Sequence, residues 1–199
     1  MVREHSLRGA RHDSWVSSRD ELQARLFIDD CKKFADILNS AVSVSGAGEI
    51  LDGGDSSAKI LSFKNGMRIN SLSSNPDAQA GKRGTRVLDE FALHPDPKAL
   101  YSVALPGIAW GGRLEIISTH RGRENFFNSL VEEARSGGNP KNISLHRVTL
   151  QDALEQGLLK KLKSKLGEDS EVRDMDEGDY FNFVKNSCAD LETFMQEYM

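Results

Sequence analysis

Two adjacent carboxylates, Asp89 and Glu90, follow the apolar residues Val87 and Leu88. At the carboxyl end of a buried strand the chain turns, so that both carboxylates can reach one crevice. In such a place the aspartate would hold a magnesium ion, and the glutamate would orient and deprotonate an attacking water. The competing interpretation is an exposed strand end. From these four residues alone it is the favoured one, because the pattern occurs often by chance.

A second candidate is the stretch IISTHRGRENFF at 116–127, where a strand ends in Ser118 and Thr119. Hydroxyl groups beside the Asp-Glu strand could sense a γ-phosphate and transmit its presence to the rest of the domain. Alternatively, Thr119 or a neighbour is an ordinary N-cap for a helix predicted over 123–136. The motif by itself favours the N-cap.

The third candidate is the loop SSNPDAQAGKRGTR, which leads directly into the Asp-Glu strand and carries Lys82, Arg83 and Arg86. Backbone N–H groups and basic side chains in such a loop can bind a phosphate or a polynucleotide backbone. A solvated charged loop explains the same composition equally well.

Composition restricts the classes of protein to consider. The chain has 199 residues, 38% of them hydrophobic, and a formal charge of -4, which suits one soluble domain with a core and gives no global basic field. The two cysteines lie far apart, as is typical of a reduced intracellular protein. The five histidines have no zinc-ligand spacing. The first 20 residues lack a signal segment and the longest apolar stretch, 99–110, contains Pro106, so no membrane association is predicted.

The elements that must position these groups alternate between strands and helices. Residues 1–12 are predicted to be poorly ordered and 13–18 to form a strand. Ser18 is predicted to cap a helix that extends to about residue 40, with one apolar face. The residues assigned to that face are Leu22, Leu26, Cys31, Phe34, Ile37 and Leu38.

Further along, Asn65-Gly66 between two alternating runs predicts a hairpin over 58–73. Strands are predicted at 85–89, 113–118 and 142–148, and helices near Pro97, over 123–136, and within 150–199 after a Thr149 cap. Strands that alternate with helices favour an α/β fold with a mainly parallel sheet.

Taken together, the stretches WVSSR at 15–19, SNPDA at 74–78, LDEFA at 88–92 and IST at 117–119 resemble the large terminase subunit of tailed bacteriophages. The similarity is greatest to the Mu-like branch and related prophage proteins, and it covers about residues 13–199. The resemblance implies a RecA-like P-loop NTPase core that drives viral DNA into a prohead, joined in the family to a nuclease domain.

Through this resemblance the candidate residues acquire roles. Asp89 matches the magnesium ligand of the Walker B motif, Glu90 the catalytic glutamate, and Ser118 and Thr119 the coupling motif, although His120 stands where the family often has proline. The implied cofactors are Mg²⁺ and ATP. The implied partners are double-stranded DNA, a portal protein and a small terminase subunit, with a homo-oligomeric ring in the full-length protein, in the cytoplasm of a bacterial host.

The phosphate-binding pattern G-x-x-x-x-G-K-[ST] does not occur in the sequence. Gly81-Lys82 is followed by Arg83, and Pro76 stands where the first glycine belongs. We therefore expect a core that lacks its first, Walker A, βα unit and that has little or no ATPase activity alone. The expected organisation is a basic disordered segment at 1–12, a partial ATPase domain at 13–166, and a helical segment at 167–199 leading to an absent nuclease.

Two alternatives remain at this stage. A helicase-like nucleic-acid ATPase would use the same Asp-Glu and Ser-Thr chemistry. A catalytically silent prophage remnant or interaction module would retain only contacts with DNA or a protein partner.

Overall fold

A six-stranded mixed sheet organises the amino-terminal part of the chain. The computed structural model describes residues 1–42, 50–52, 59–63, 65–72 and 75–199. The strands are β1 (Ser14–Ser17), β2 (Ile50–Asp52), β3 (Lys59–Ser62), β4 (Arg68–Leu72), β5 (Thr85–Leu88) and β6 (Leu114–Ile116). Their order is β2-β3-β4-β1-β5-β6, and the last four of these are parallel. This confirms the predicted α/β architecture with a mainly parallel sheet.

The predicted hairpin is present as the antiparallel pair β3–β4. Asn65 accepts a hydrogen bond from Met67 N at 3.1 Å, and Gly66 has φ 82°, a left-handed conformation that glycine adopts at no steric cost. Strand β2 lies within the Gly/Asp/Ser-rich stretch 45–57 and pairs antiparallel with β3. Most of that stretch lies outside the described residues.

Seven helices occur in the described parts of the chain: α1 (Glu21–Val42), α2 (Pro97–Ala104), α3 (Phe126–Arg135), α4 (Leu150–Glu155), α5 (Leu158–Lys163), α6 (Glu177–Ser187) and α7 (Leu191–Tyr198). Thr149 and Asp152 form the predicted capping box at α4. None of these helices is long and apolar enough to cross a bilayer.

The strand predicted over 142–148 does not form. Asn142 has φ 51°, and the Asn139 side-chain amide accepts from Ile143 N through Oδ1 at 2.8 Å and donates to Ile143 O through Nδ2 at 3.0 Å. These local bonds give the backbone an alternative to a sheet ladder. Val148 is 72% exposed, so the apolar spacing here does not mark a buried face.

Helix α1 turns a different face to the core from the predicted one. Its buried side chains are the small or medium-sized Ala24, Ile28, Cys31 and Ala35, and four of the residues predicted to face the core are exposed: Leu22, Leu26, Phe34 and Ile37. The buried residues also follow helical spacing, and small side chains let the helix lie close to the sheet. The N-cap differs as well, because Asp20, not Ser18, accepts from Gln23 N at 2.9 Å.

Residues 1–12, which the sequence predicts to be poorly ordered, include a helical turn. A single π-helical turn occupies Glu4–Arg8. His5 in this turn is buried, forms a hydrogen bond with Ser14 Oγ at 3.0 Å and stacks on Phe63 with ring centroids 4.9 Å apart. The turn therefore covers an apolar ring at the edge of the core.

The chain divides into two compact units. One consists of Met1–Ser118 with Asn125–Phe127, and the other of Thr119–Glu124 with Asn128–Met199. Within the second unit, Leu150, Leu154 and Leu159 share a core with Phe194. Residues on both sides of 166 contribute to that core, so the structure shows no boundary at the predicted position 166/167.

Candidate functional site

Asp89 is held at the carboxyl edge of the two central parallel strands. Its N–H donates to Ser17 O at 2.8 Å, which continues the β1–β5 ladder by one residue. The Ser18 hydroxyl, fully buried, donates to Asp89 Oδ2 at 2.9 Å. One carboxylate oxygen is thereby oriented by a fixed donor, while the aspartate remains partly accessible.

Glu90 adopts a left-handed conformation, with φ 50° and ψ 40°. For a residue with a Cβ this conformation costs about 1 kcal/mol or more, and such strain clusters at functional sites. The turn ends the strand alternation that would send Asp89 and Glu90 to opposite faces of the sheet. Leu93 N donates to Glu90 O at 2.9 Å and closes the turn.

Ser118 is joined to the same turn. Its Oγ accepts a hydrogen bond from Ala92 N at 2.9 Å, and Phe91 N donates to Ile117 O at 3.1 Å. The segment after β6 is therefore bonded directly to the residues that follow Glu90. This arrangement brings Ser118 together with the Asp-Glu pair, as the sequence predicts for neighbouring strand ends.

Thr119 follows Ser118 as the first residue of the second unit and is partly buried. It does not cap the following helix, because Asn125 Oδ1 accepts from Phe127 N at 2.8 Å at the start of α3. The N-cap alternative for Thr119 is therefore excluded.

Two side chains at the site were not identified from the sequence. The sequence predicts a helix cap for Ser18 and no role for His94. His94 is buried, and its Nε2 donates to the Asp89 carbonyl at 3.2 Å. Burial lowers the pKa of His94 below its ordinary value. A histidine shortly after a candidate metal ligand carries no general sequence signal, so only the fold reveals this contact.

Arg86 does not lie where a polynucleotide could reach it. The side chain is fully buried, and Nη2 donates to Gln79 O at 3.4 Å. Burial lowers the pKa of Arg86 to about 10. Both faces of β5 are buried, so the structure places the side chain predicted to contact nucleic acid in the interior.

Lys82 and Arg83 form a basic-aromatic patch with Trp15 and Trp110. Lys82 Nζ lies 5.1 Å from the Trp15 ring centroid, and the Arg83 guanidinium lies 4.5 Å from that of Trp110. Trp15 Nε1 donates to Arg83 O at 2.8 Å. Trp110 is 63% exposed. Within the described ranges neither Lys82 nor Arg83 forms an ion pair, so the patch presents positive charge to solvent.

The donor set at the strand end fits magnesium shared with a phosphate rather than a protein-enclosed metal. Among the described residues no group of three or more histidine, cysteine or acidic side chains could hold a metal ion. Mg²⁺ is commonly bound through one or two carboxylates, with phosphate oxygens and water completing its shell. Asp89 supplies one such carboxylate.

The sequence is similar to two curated phage proteins, and no protein-family model matches it. It is 34% identical over 160 residues to the probable terminase large subunit gp28 of Escherichia phage Mu, which covers 78% of this chain and 28% of that protein. It is 36% identical over 154 residues to the Mu-like prophage FluMu protein gp28 of Haemophilus influenzae, covering 74% and 29%. The chain thus spans a little over a quarter of the length of these relatives.

Solved structures share the fold. A Thermus phage large terminase ATPase domain superposes with a TM-score of 0.62 at 17% identity, over 99% of this chain and 78% of that one. The large terminase of a thermophilic bacteriophage in complex with ATP-γ-S gives a TM-score of 0.55 at 13% identity, over 79% and 37%. These matches confirm the predicted RecA-like core.

Proposed function

Because the chain is homologous to the large terminase subunits of Mu-like phages and has the fold of a terminase ATPase domain, we propose that it is part of a DNA-packaging motor. It would contribute the magnesium-binding and water-activating half of an ATP site. The observation that carries this proposal is the Asp89–Glu90 turn at the end of β5, with Asp89 bonded to Ser18.

In this proposal Asp89 holds Mg²⁺ and Glu90 acts as the general base. The Ser18 hydroxyl donates to Oδ2 of Asp89, so we assign the other carboxylate oxygen, Oδ1, to the metal. The metal would neutralise charge that develops on the phosphates. Glu90 would orient a water and accept its proton, and a positioned base of this kind contributes about 10²–10⁴-fold in rate.

Ser118 and Thr119 are proposed to couple hydrolysis to movement. The bond between Ser118 Oγ and Ala92 N supports this role, because a displacement of the Asp89–Glu90 turn would reach Ser118 through one hydrogen bond. A two-state element biased by the nucleotide is the general requirement for such coupling.

The phosphate-binding loop is proposed to come from polypeptide outside this sequence. The 199 residues contain no G-x-x-x-x-G-K-[ST] pattern. Among the described strands, β6 forms one edge of the sheet, and Ser118 follows it in the chain. A parallel strand added to its open edge would bring a phosphate-binding turn to the same carboxyl edge as Asp89. The chain alone would then bind nucleotide weakly and hydrolyse little of it.

Double-stranded DNA is the proposed substrate of the motor, with Lys82 and Arg83 as contacts to its phosphates. The unpaired positive charge of this patch supports the assignment. A portal protein, a small terminase subunit and a ring of like subunits in the host cytoplasm complete the proposal. A helicase-like ATPase would use the same strand-end chemistry.

Fluorescent ATP titrations with and without Mg²⁺ test the site. We expect weak, saturable, Mg²⁺-dependent binding that Asp89→Asn removes and Glu90→Gln retains. Glu168→Gln, an exposed change in the second unit, is the matched control and leaves binding unchanged. Absence of any Mg²⁺-dependent binding would favour the catalytically silent remnant. Steady-state phosphate release that Glu90→Gln abolishes would show instead that the chain is complete enough to turn over.

A further inference from the structure

We propose that His94 is a positioning residue for the Asp89–Glu90 pair. With a proton on Nε2, its ring holds the Asp89 carbonyl and thereby fixes the left-handed turn at Glu90. The catalytic meaning of this restraint rests on the proposed role of Glu90 as the base. The restraint itself is a matter of geometry and can be tested separately.

The Asp89 carbonyl lies where the ladder ends. Asp89 N still donates to Ser17 O across to β1, while the Asp89 carbonyl accepts from the His94 ring instead of a neighbouring strand. A backbone carbonyl away from bulk water needs a donor. His94 supplies it from five residues further along, across the turn that contains Glu90.

The bond defines the tautomer of His94. A carbonyl oxygen only accepts, so the hydrogen between the two groups must reside on Nε2. Nδ1 is buried and has no hydrogen-bond partner among the described residues. A proton on Nδ1 would therefore be buried without an acceptor, and the ring acts as a single fixed donor.

The donor is itself held in place on both sides. His94 has an extended backbone, φ -67° and ψ 145°, as the following Pro95 favours. Asp96 then caps α2 by accepting from Ala99 N at 2.8 Å, with Pro97 at the first helical position. On the other side, the His94 and Phe91 rings lie 6.5 Å apart. The ring is thus attached to the start of a helix rather than to a mobile loop.

A histidine that merely fills space in the core is the competing interpretation. Both interpretations predict that a large substitution lowers stability. Only a positioning role predicts that the backbone of Glu90 responds to the loss of the donor while the fold remains. A glutamine at position 94 also separates them, because its amide can donate from about the reach of Nε2.

NMR on the isotopically labelled 199-residue chain tests the proposal. We compare the unsubstituted protein with His94→Gln and His94→Leu. The imidazole nitrogen shifts should identify the Nε2–H tautomer. The Cα and Cβ shifts of Glu90, which report a positive φ, should persist in His94→Gln and change in His94→Leu. A proton on Nδ1, or a Glu90 signal unchanged in His94→Leu, would overturn the proposal. If His94→Leu does not fold, the proposal is still tested by the tautomer of the unsubstituted protein and by the Glu90 shifts of His94→Gln.

The functional consequence has its own readout. Outer-shell partners of a metal ligand typically contribute 10–100-fold in metal affinity, so Mg²⁺-dependent nucleotide binding should weaken about 10-fold in His94→Leu and recover in His94→Gln. If the unsubstituted chain binds no nucleotide, the proposed function fails while the Glu90 shifts still report on His94. If binding occurs and His94→Leu leaves it unchanged with altered Glu90 shifts, His94 shapes the turn without positioning the metal ligand, and the positioning role is refuted.

Discussion

The Ser18 hydroxyl lies 2.9 Å from Asp89 Oδ2, although 71 positions separate the two residues in the sequence. The parallel register of β1 and β5 explains the contact. Ser17 lies opposite Leu88, so the next residue of each strand, Ser18 and Asp89, emerges at the same edge. The register of two short strands therefore builds the candidate site.

Replacing Ser18 with alanine should lower the free energy of unfolding by about 1.5 kcal/mol, the size expected for a hydrogen bond from a buried hydroxyl to a carboxylate. Urea unfolding measures the change. Ser102→Ala is the matched control, because Ser102 is exposed and its hydroxyl donates to the Lys98 carbonyl of its own helix. A loss in Ser18→Ala no larger than in the control would contradict the contact. A double-mutant cycle with Asp89→Ala should give a coupling energy of about 1 kcal/mol.

Glu90→Gly should stabilise the chain while removing the proposed base. Glycine adopts φ near 50° without a Cβ clash, so relief of strain should exceed the added entropy of the unfolded chain and yield about 0.5–1 kcal/mol. The Tm should rise by about 1–4 °C for a chain of this length.

Calorimetry of Glu90→Gly and Asn142→Gly provides the comparison. Asn142 has φ 51°, but asparagine tolerates this conformation, so its replacement should stabilise less or not at all. A Glu90→Gly protein less stable than the unsubstituted chain would show that the glutamate side chain contributes more to stability than its backbone strain costs.

Acid should destabilise the first unit through His5. Burial, followed by the charge of the N-terminus, lowers the pKa of His5 to about 4 from an ordinary value of 6.5. Between these values the unfolded chain binds a proton that the folded chain does not. His5 therefore contributes stability that is complete above pH 6.5 and is lost as the pH falls to 4, by about 3 kcal/mol.

Urea unfolding at pH 6.5 and pH 4 tests this contribution. In His5→Gln the drop in the free energy of unfolding between the two pH values should shrink by about 3 kcal/mol, because glutamine does not titrate. His146→Gln is the control, since His146 is exposed and its replacement should leave the drop unchanged. An equal drop in His5→Gln and the unsubstituted chain would show that His5 takes up its proton without loss of the fold.

Sequence periodicity predicts the sheet better than it predicts which side chains the sheet buries. The apolar pair Val87-Leu88 before Asp89 and the Asn65-Gly66 turn are local signals, and both elements form as predicted. The buried face of α1 is not a local property. Ala24 and Ile28 are buried while Leu22 and Leu26 are exposed, and packing against the other elements decides which stripe of the helix faces the sheet.

The candidate site shows the same limit. Asp89 and Glu90 are recognisable because they end a strand, whereas Ser18 and His94 become partners only through strand register and a turn. Arg86 illustrates the converse error. Charge alone suggests a surface contact, but alternate residues of a doubly covered strand point into packed layers on either side.

Lys82 and Arg83 should contact DNA phosphates, and Arg86 should not. Binding of a short duplex to the chain, measured over a range of salt concentrations, separates these roles. Each phosphate contact contributes about 0.9 to the slope of log K against log salt, so Lys82→Ala with Arg83→Ala should reduce the slope by about 1.8.

Arg86→Met distinguishes exposed from buried positive charge. Arg86 follows Lys82 and Arg83 closely in the sequence, but its side chain is fully buried. Arg86 Nε and Nη1 have no hydrogen-bond partner among the described residues, so replacing the buried guanidinium by an apolar side chain of similar length should leave stability unchanged or raise it. The salt slope should stay at the value of the unsubstituted chain, since a charge that no phosphate can touch releases no counterion. A slope reduced by about 0.9 in Arg86→Met would mean that the segment over Arg86 opens when DNA binds. If the unsubstituted chain shows no salt-dependent binding, the basic-aromatic patch is not a DNA contact in this chain.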